Sequence, residues 1–321
     1  DNTLIPNAIG QGSDQLSLYI HIPFCHKLCY YCGCNKVVTR HQHKADSYLD
    51  ALAEEMALYQ PLLAQKQIIQ LHLGGGTPTF LTEAQLSRLM ALLHRHFTIK
   101  PDAEISIEID PRSCSDSKLA HLRSLGFNRV SFGVQDLDEK VQIAINRVQD
   151  TDLIRHQVAL SRTLGFTSIN LDLIYGLPFQ HPASFAQTVD EIIRLNPDRI
   201  SLFSYAHLPE RFAAQHKIDN ASLPDATLKL ELMQLAINCF VAAGYQFIGM
   251  DHFARPDDAL AKAQQAGKLQ RNFQGYTTAG QDALIGLGVS SISQVSGVLW
   301  QNSKELPAYY AAINSGQLPV E

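Results

Sequence analysis

The chain has 321 residues, 45% apolar and 18% charged, with 26 basic against 31 acidic side chains for a net charge of −5. Ample apolar content with a charge fraction below the roughly 25% usual for soluble domains excludes a disordered chain, and a slight acidic excess without a Lys/Arg run excludes an electrostatic nucleic-acid or anionic-membrane surface. No apolar stretch approaches the roughly 18 to 20 residues of a membrane span, and no basic start followed by an apolar run marks a signal peptide, so a cytoplasmic location is expected.

An amino-terminal segment, 1–15, precedes the first β-rich run. From there strands are expected at 16–22, 68–73, 103–109, 129–135, 168–174, 199–205 and 246–250. The longer stretches between them carry helical period at 47–63, 82–97, 115–125, 151–164, 184–195 and 225–243. Gly126 and Gly165 stand where helix C-caps need a left-handed residue. Repeated β-α units imply a parallel sheet. The expected fold is α/β, a partial (β/α)6-type barrel over 16–245, with a doubly wound open sheet as the second choice. After about residue 250 the text turns Gly-rich and irregular, and 246–321 is read as the start of a smaller post-barrel region.

Alternation within the strands says what the barrel encloses. Ile105, Ile107 and Ile109 face one way and Ser106, Glu108 and Asp110 the other; Asn170 and Asp172 oppose Ile169, Leu171 and Leu173. Gln70 with His72, Ser131 with Gln135, and Ser201 with Tyr205 repeat the split. Helix-covered parallel strands are ordinarily apolar on both faces, and an unpaired buried carboxylate costs several kcal/mol or is neutralised. The lumen therefore reads as polar and suited to a polar ligand, an internal network satisfied by water being the alternative.

Four of the six cysteines, Cys25, Cys29, Cys32 and Cys34, fall within ten residues directly after the first strand. That is the end of the strand where barrel enzymes place their chemistry. Thiols this close, without a secretory signal, point to a metal or redox role rather than to structural disulfides. Structural zinc calls for four ligands in two separated pairs, and ferredoxin clusters use four cysteines at other spacings. Three thiolates on a short loop suit a 4Fe-4S cluster with one iron left open to bind a substrate or cosubstrate. Cys34 is a fourth ligand, a thiol near substrate, or a small buried residue. Gly74, Gly75 and Gly76 end the second strand, where missing side chains let the backbone approach a ligand.

The spacing Cys25-x3-Cys29-x2-Cys32, with Tyr31 before the third cysteine, resembles the signature of the radical S-adenosylmethionine superfamily. The stretches 19–36, 74–79, 106–112, 126–136, 170–178, 196–209, 249–258 and 272–278 extend the likeness over about 16–310. Together they resemble the family of oxygen-independent coproporphyrinogen III oxidases. The resemblance implies a 4Fe-4S cluster on Cys25, Cys29 and Cys32, with Cys34 an accessory thiol. It implies S-adenosylmethionine contacts at Tyr19, Tyr31, Gly75, Gly76, Thr77, Glu108, Gln135, Arg147, Asp172, Ala206 and Ile292. The glycine loop would receive the methionine amino group, carboxylates the ribose hydroxyls, and Arg147 the methionine carboxylate. The reaction implied is oxidative decarboxylation of two propionates of coproporphyrinogen III to vinyl groups, giving protoporphyrinogen IX for anaerobic haem synthesis. Its implied partner is an electron-donor protein such as a flavodoxin. A haem chaperone on the same barrel is the competing reading; that group typically has an aromatic residue where this chain has Cys34. A substrate with four carboxylates meeting a chain of net charge −5 needs local cations, and Arg255 and Arg271 are expected to contribute. The resemblance also expects more chain at both ends, including a helical domain after 321.

Overall fold

The computed structural model describes residues 3–272, 275–277 and 283–321. Its centre is an eleven-stranded sheet. Six parallel strands come from the β-α repeat: β1 (Gln15–Ile22), β2 (Gln67–Gly75), β3 (Ile99–Ile109), β4 (Arg129–Gln135), β5 (Ser168–Tyr175) and β6 (Arg199–Ser204). Beyond β6 lie β7 (Gln246–Gly249) and β8 (His252–Ala254), and beyond β1 lie β9 (Ala283–Leu287), β10 (Ile292–Val295) and β11 (Val298–Gln301). The spatial order is β11-β10-β9-β1-β2-β3-β4-β5-β6-β8-β7, so β11 and β7 form two edges of an open barrel.

The helices form where the apolar period and cap residues coincide. They are α1 (Leu4–Gln11), α2 (Lys44–Tyr59), α3 (Glu83–His96), α4 (Asp116–Ser124), α5 (Glu139–Ala144), α6 (Thr151–Thr163), α7 (Pro182–Leu195), α8 (Ala226–Ala242), α9 (Ala259–Gln265) and α10 (Leu306–Asn314). Thr82 and Gln85 close a capping box on α3, while Ser115, Asp150 and Asp225 cap α4, α6 and α8. Gly126 and Gly165 follow α4 and α6 at φ +100° and +88°. The apolar strand face packs outward on the helices: Leu16, Leu18, Ile20, Ile107 and Ile109 are all buried. The opposite face turns Gln70, His72, Glu104, Ser106, Ser131, Asn170 and Ser201 into the lumen, where they line a cavity of about 210 Å³. The polar interior read from the alternation is present.

The stretch after residue 250, expected to be irregular, instead adds β8 to β11 to the same sheet. β9 pairs in parallel with β1, placing Gly286 beside Tyr19. All five residues of β9 are buried; a run buried on both faces and broken by glycine carries no alternation to mark it as a strand. Among the described residues no helix is long and apolar enough to cross a membrane.

Glu55 ties the two ends of the chain together. Fully buried in α2, it accepts hydrogen bonds from the Gly288 amide (2.8 Å), Asn302 Nδ2 (2.7 Å) and the Tyr309 hydroxyl (2.7 Å). Burial outweighs these bonds and pushes its carboxyl up to about 7. Glu55→Ala strands three donors and is expected to cost about 3 kcal/mol in chemical denaturation. The folded state holds the Glu55 proton to higher pH than the unfolded state, so its contribution falls as pH rises from about 4 to about 7. Glu55→Gln removes that slope.

Candidate active site

The site is assembled where β1 to β6 end. After Ile22 the chain forms a two-residue strand, Phe24–Cys25, that pairs in parallel with Val37–Val38 and closes the cysteine loop. All four thiols in the loop are free; Cys25 and Cys29 are buried, Cys32 is half-buried and Cys34 exposed. They face a cavity of about 180 Å³ whose walls include Gly75, Gly76, Thr77, Glu108, Gln135, Arg147 and Asp172.

Glycine is required at the contact between the β2 end and the cysteine loop. A Cβ on Gly76 would stand 2.5 Å from the Pro23 carbonyl oxygen and 3.0 Å from Cys25 Sγ. Gly75, at φ +123°, would place one 2.7 Å from the Ile22 oxygen. The hydroxyl of Thr77 donates to Cys25 Sγ at 3.3 Å.

Cations and thiols share the cavity. Arg147, buried, donates through Nη2 to the Gly133 oxygen (2.8 Å) and directs Nη1 at Cys29 Sγ (3.6 Å). A Cβ on Gly133 would lie 2.7 Å from Arg147 Nη2, so the guanidinium would have to shift to admit any other residue there. Arg112 Nη2 approaches Cys29 Sγ at 3.5 Å, and Lys36 holds the Cys32 carbonyl at 3.2 Å. Cys32 and Cys34 lie 2.7 Å apart. The hydrogen bond from Cys34 draws Cys32 down to about 6, with Lys36 and Arg147 assisting against burial, while Cys34 itself is raised. Burial pushes Cys25 up to about 11.

On the lumen side, Glu108 accepts from the Gly75 amide (3.3 Å) and lies 3.3 Å from His72 Nε2. Asp172 accepts from Asn170 Nδ2 (2.7 Å) and from Ser131 Oγ (3.5 Å). Burial, and next the charge of Glu108, raise its carboxyl to about 7. Gln135 sits past an irregularity in β4 at φ 68°, a strained position for a non-glycine residue. Its buried Oε1 has no partner, and neither has Arg147 Nε. Buried polar atoms without partners are uncommon, and a polar ligand in the cavity would satisfy them.

A second space of about 620 Å³ shares Tyr31, Cys32, Gly75, Glu108, Gln135 and Asp172 with the first and adds Tyr19 and His21. The Tyr19 hydroxyl contacts His21 Nδ1 at 3.0 Å. The structure thus gathers the three cysteines with Tyr19, Tyr31, Gly75, Gly76, Thr77, Glu108, Gln135, Arg147 and Asp172. Ala206 and Ile292 line neither space. Ala206 follows β6, and its carbonyl accepts from Gln215 Nε2 (3.2 Å), which also donates to the Tyr31 carbonyl (3.1 Å). Ile292 starts β10, and its carbonyl would stand 2.6 Å from a Cβ on Gly286 beside Tyr19.

Arg255 is a correction: its amide donates to the Asp198 oxygen, just before β6 begins, and its side chain meets Asn196 and Asp257. That is the amino-terminal end of the parallel strands, opposite the thiols. Arg271 contacts Met250. Phe273, Gln274 and Thr278, in the motif stretch 272–278, lie outside the described residues. Asp110 and Arg112 line the thiol cavity but were assigned no role from sequence. Alternation had placed Asp110 on the lumen face, and the Asp-Pro-Arg run at the end of β3 was the available signal.

Among the described residues no three His, Cys, Asp or Glu side chains converge as ligands of one metal ion. The three thiols instead line a larger space whose walls also include Lys36, Arg112 and Arg147; the donor set fits a cluster.

An open parallel β/α barrel with a thiol-lined cavity at the end of its first strand, walled by a glycine loop and lumen carboxylates, defines an iron–sulfur barrel enzyme. A Radical SAM superfamily model matches residues 19–192, more than half the chain, and the chain belongs to that superfamily, whose cofactors are a 4Fe-4S cluster and S-adenosylmethionine. It is 58% identical over 299 residues to an oxygen-independent coproporphyrinogen III oxidase from Salmonella typhimurium, covering 93% of this chain and 65% of that protein. To the enzyme of that name from Pseudomonas aeruginosa it is 53% identical, over 95% of this chain and 67% of the relative. A solved structure of coproporphyrinogen III oxidase from Escherichia coli, described as a radical SAM enzyme, superposes with a TM-score of 0.96 at 54% identity over 98% of this chain and 73% of that one. The chain therefore spans about two thirds of the length of the curated relatives it matches.

Proposed function

We propose that this chain carries the catalytic barrel of an oxygen-independent coproporphyrinogen III oxidase. The observation that carries this reading is the convergence of three thiols and nine expected cosubstrate residues on two spaces with shared walls. The names of relatives more than 50% identical over nine tenths of the chain support the substrate. They favour the oxidase over the haem chaperone, as does Cys34.

In this reading Cys25, Cys29 and Cys32 hold the cluster. When bound, the cluster and S-adenosylmethionine supply an electron and a 5'-deoxyadenosyl radical able to remove a β-hydrogen from a substrate propionate. The backbone at Gly75 and Gly76, with Thr77, receives the methionine amino group, and Arg147 takes the methionine carboxylate. Glu108 and Asp172 accept from the ribose, Gln135 offers its unpartnered Oε1, and Tyr19 and Tyr31 shield the space from water. Ala206 and Ile292 act through backbone or apolar contact. The barrel core, 16–245, supplies these residues except Ile292, which comes from the region 246–321. The expected setting is the cytoplasm, with a small electron-donor protein such as a flavodoxin.

The test is anaerobic: the reconstituted protein, S-adenosylmethionine, a reductant and coproporphyrinogen III, with products separated by chromatography. Formation of 5'-deoxyadenosine together with divinyl product is expected. Cosubstrate cleavage without decarboxylation would reject the proposed substrate.

A further inference from the structure

The cosubstrate assignments leave one ion pair beside the thiols unused. Asp110 closes β3, and Pro111–Ser113 form a single tight turn that brings Arg112 back over it. Asp110 Oδ1 accepts from both the Arg112 amide and Nε (3.0 Å each), and Oδ2 accepts from Nη2 (2.8 Å). Both side chains are largely buried, at 15% and 12% exposure, so the guanidinium is held in one orientation. In that orientation Nη2 lies 3.5 Å from Cys29 Sγ. Arg147 flanks the same groups, 3.6 Å from Asp110 Oδ2 and 3.6 Å from Cys29 Sγ. The two arginines outweigh burial and hold the Asp110 carboxyl below its ordinary value.

Arg147 is taken up by the cosubstrate carboxylate in the proposed reading, which leaves Arg112 as the fixed cation on Cys29. We propose that Arg112, clamped by Asp110, is a positioning residue that hydrogen-bonds the Cys29 sulfur of the bound cluster and sets its reduction potential. The proposal rests on Cys29 being a cluster ligand. Reduction adds one electron and no proton to the cluster, and a cation hydrogen-bonded to a ligand sulfur stabilises the added negative charge. Hydrogen bonds to sulfur and local charge are the levers by which proteins tune such clusters. Arg112 thereby makes the cluster easier to reduce.

The experiment is a redox titration of the anaerobically reconstituted protein, followed by the electron paramagnetic resonance of the reduced cluster, with iron and sulfide counted in each sample. Arg112→Gln is expected to shift the midpoint to more negative potential by at least a tenfold change in the oxidised-to-reduced ratio, about 59 mV for one electron. Arg112→Lys keeps the charge but lacks the planar fork that spans Asp110 and the sulfur, and is expected to shift the midpoint the same way by less. A fully loaded Arg112→Gln protein with the wild-type midpoint overturns the proposal. Should the glutamine variant fail to retain iron, the lysine variant decides: an unchanged midpoint overturns it, and a negative shift supports it. A wild-type protein that takes up no cluster would instead sink the cofactor reading on which the proposal stands.

Discussion

Replacing Cys25, Cys29 or Cys32 singly by serine is expected to leave a colourless protein that retains almost no iron after anaerobic reconstitution and cleaves no S-adenosylmethionine. The loss should exceed the roughly 10- to 100-fold cost of removing a residue that merely supports a metal ligand. Each thiol has a distinct support: Thr77 donates to Cys25, two arginines face Cys29, and Cys34 lies against Cys32. None of those neighbours replaces a missing sulfur. Cys34→Ser is the informative contrast. With three ligands sufficient it should keep its iron, whereas a four-cysteine site would lose it. Cys114, buried just before α4, and Cys239, on α8, do not line the cavity, and their serine variants should load normally. Iron and sulfide assays with a 5'-deoxyadenosine measurement decide all six variants.

The second large effect concerns cosubstrate binding. Asp172→Asn is expected to weaken S-adenosylmethionine by roughly 10- to 100-fold, the worth of a hydrogen bond to a charged group at about 1.5 to 3 kcal/mol. Its pH dependence follows from the raised carboxyl. Burial, then the neighbouring Glu108 charge, bring Asp172 to about 7, and its ionised form is the stronger acceptor for the proposed ribose contact. Wild-type affinity should therefore rise as pH passes through about 7 and level off above it, while Asp172→Asn is flat. Stability runs the other way. The folded chain holds the Asp172 proton to higher pH than the unfolded chain, so this group's contribution to stability is lost as pH rises from about 4 to about 7. Above that window Asp172→Asn should be the more stable protein in the absence of cosubstrate. Calorimetric titrations at several pH values and thermal melts at the same values check both halves.

The strand-face pattern was legible because it is local: Ser106 and Glu108 alternate with isoleucines over one strand, and the structure puts the two sets on opposite sides. The thiol loop was legible because its spacing is confined to ten residues. What stayed hidden depends on packing between distant segments. Arg147 by itself resembles a solvated helix-end charge, and it is buried only because α5 turns back and Gly133 leaves room for the guanidinium. Arg112 gains its meaning from Cys29, 83 positions earlier in the chain. β9 has no period to read, since all five of its residues are buried and its partner is β1, at the other end of the sequence. The misplacement of Arg255 has the same origin. Its motif sits near a strand end, but β8 runs antiparallel to β6 and delivers it to the wrong mouth of the barrel.

Three thiols at the end of β1 are proposed to hold a 4Fe-4S cluster that S-adenosylmethionine can reach. The most direct test is the electron paramagnetic resonance spectrum of the reduced, reconstituted protein before and after S-adenosylmethionine is added. About four irons per chain and a spectrum that changes on addition are expected. A chain that prefers a single zinc ion, or a cluster spectrum that S-adenosylmethionine leaves unmoved, would contradict it.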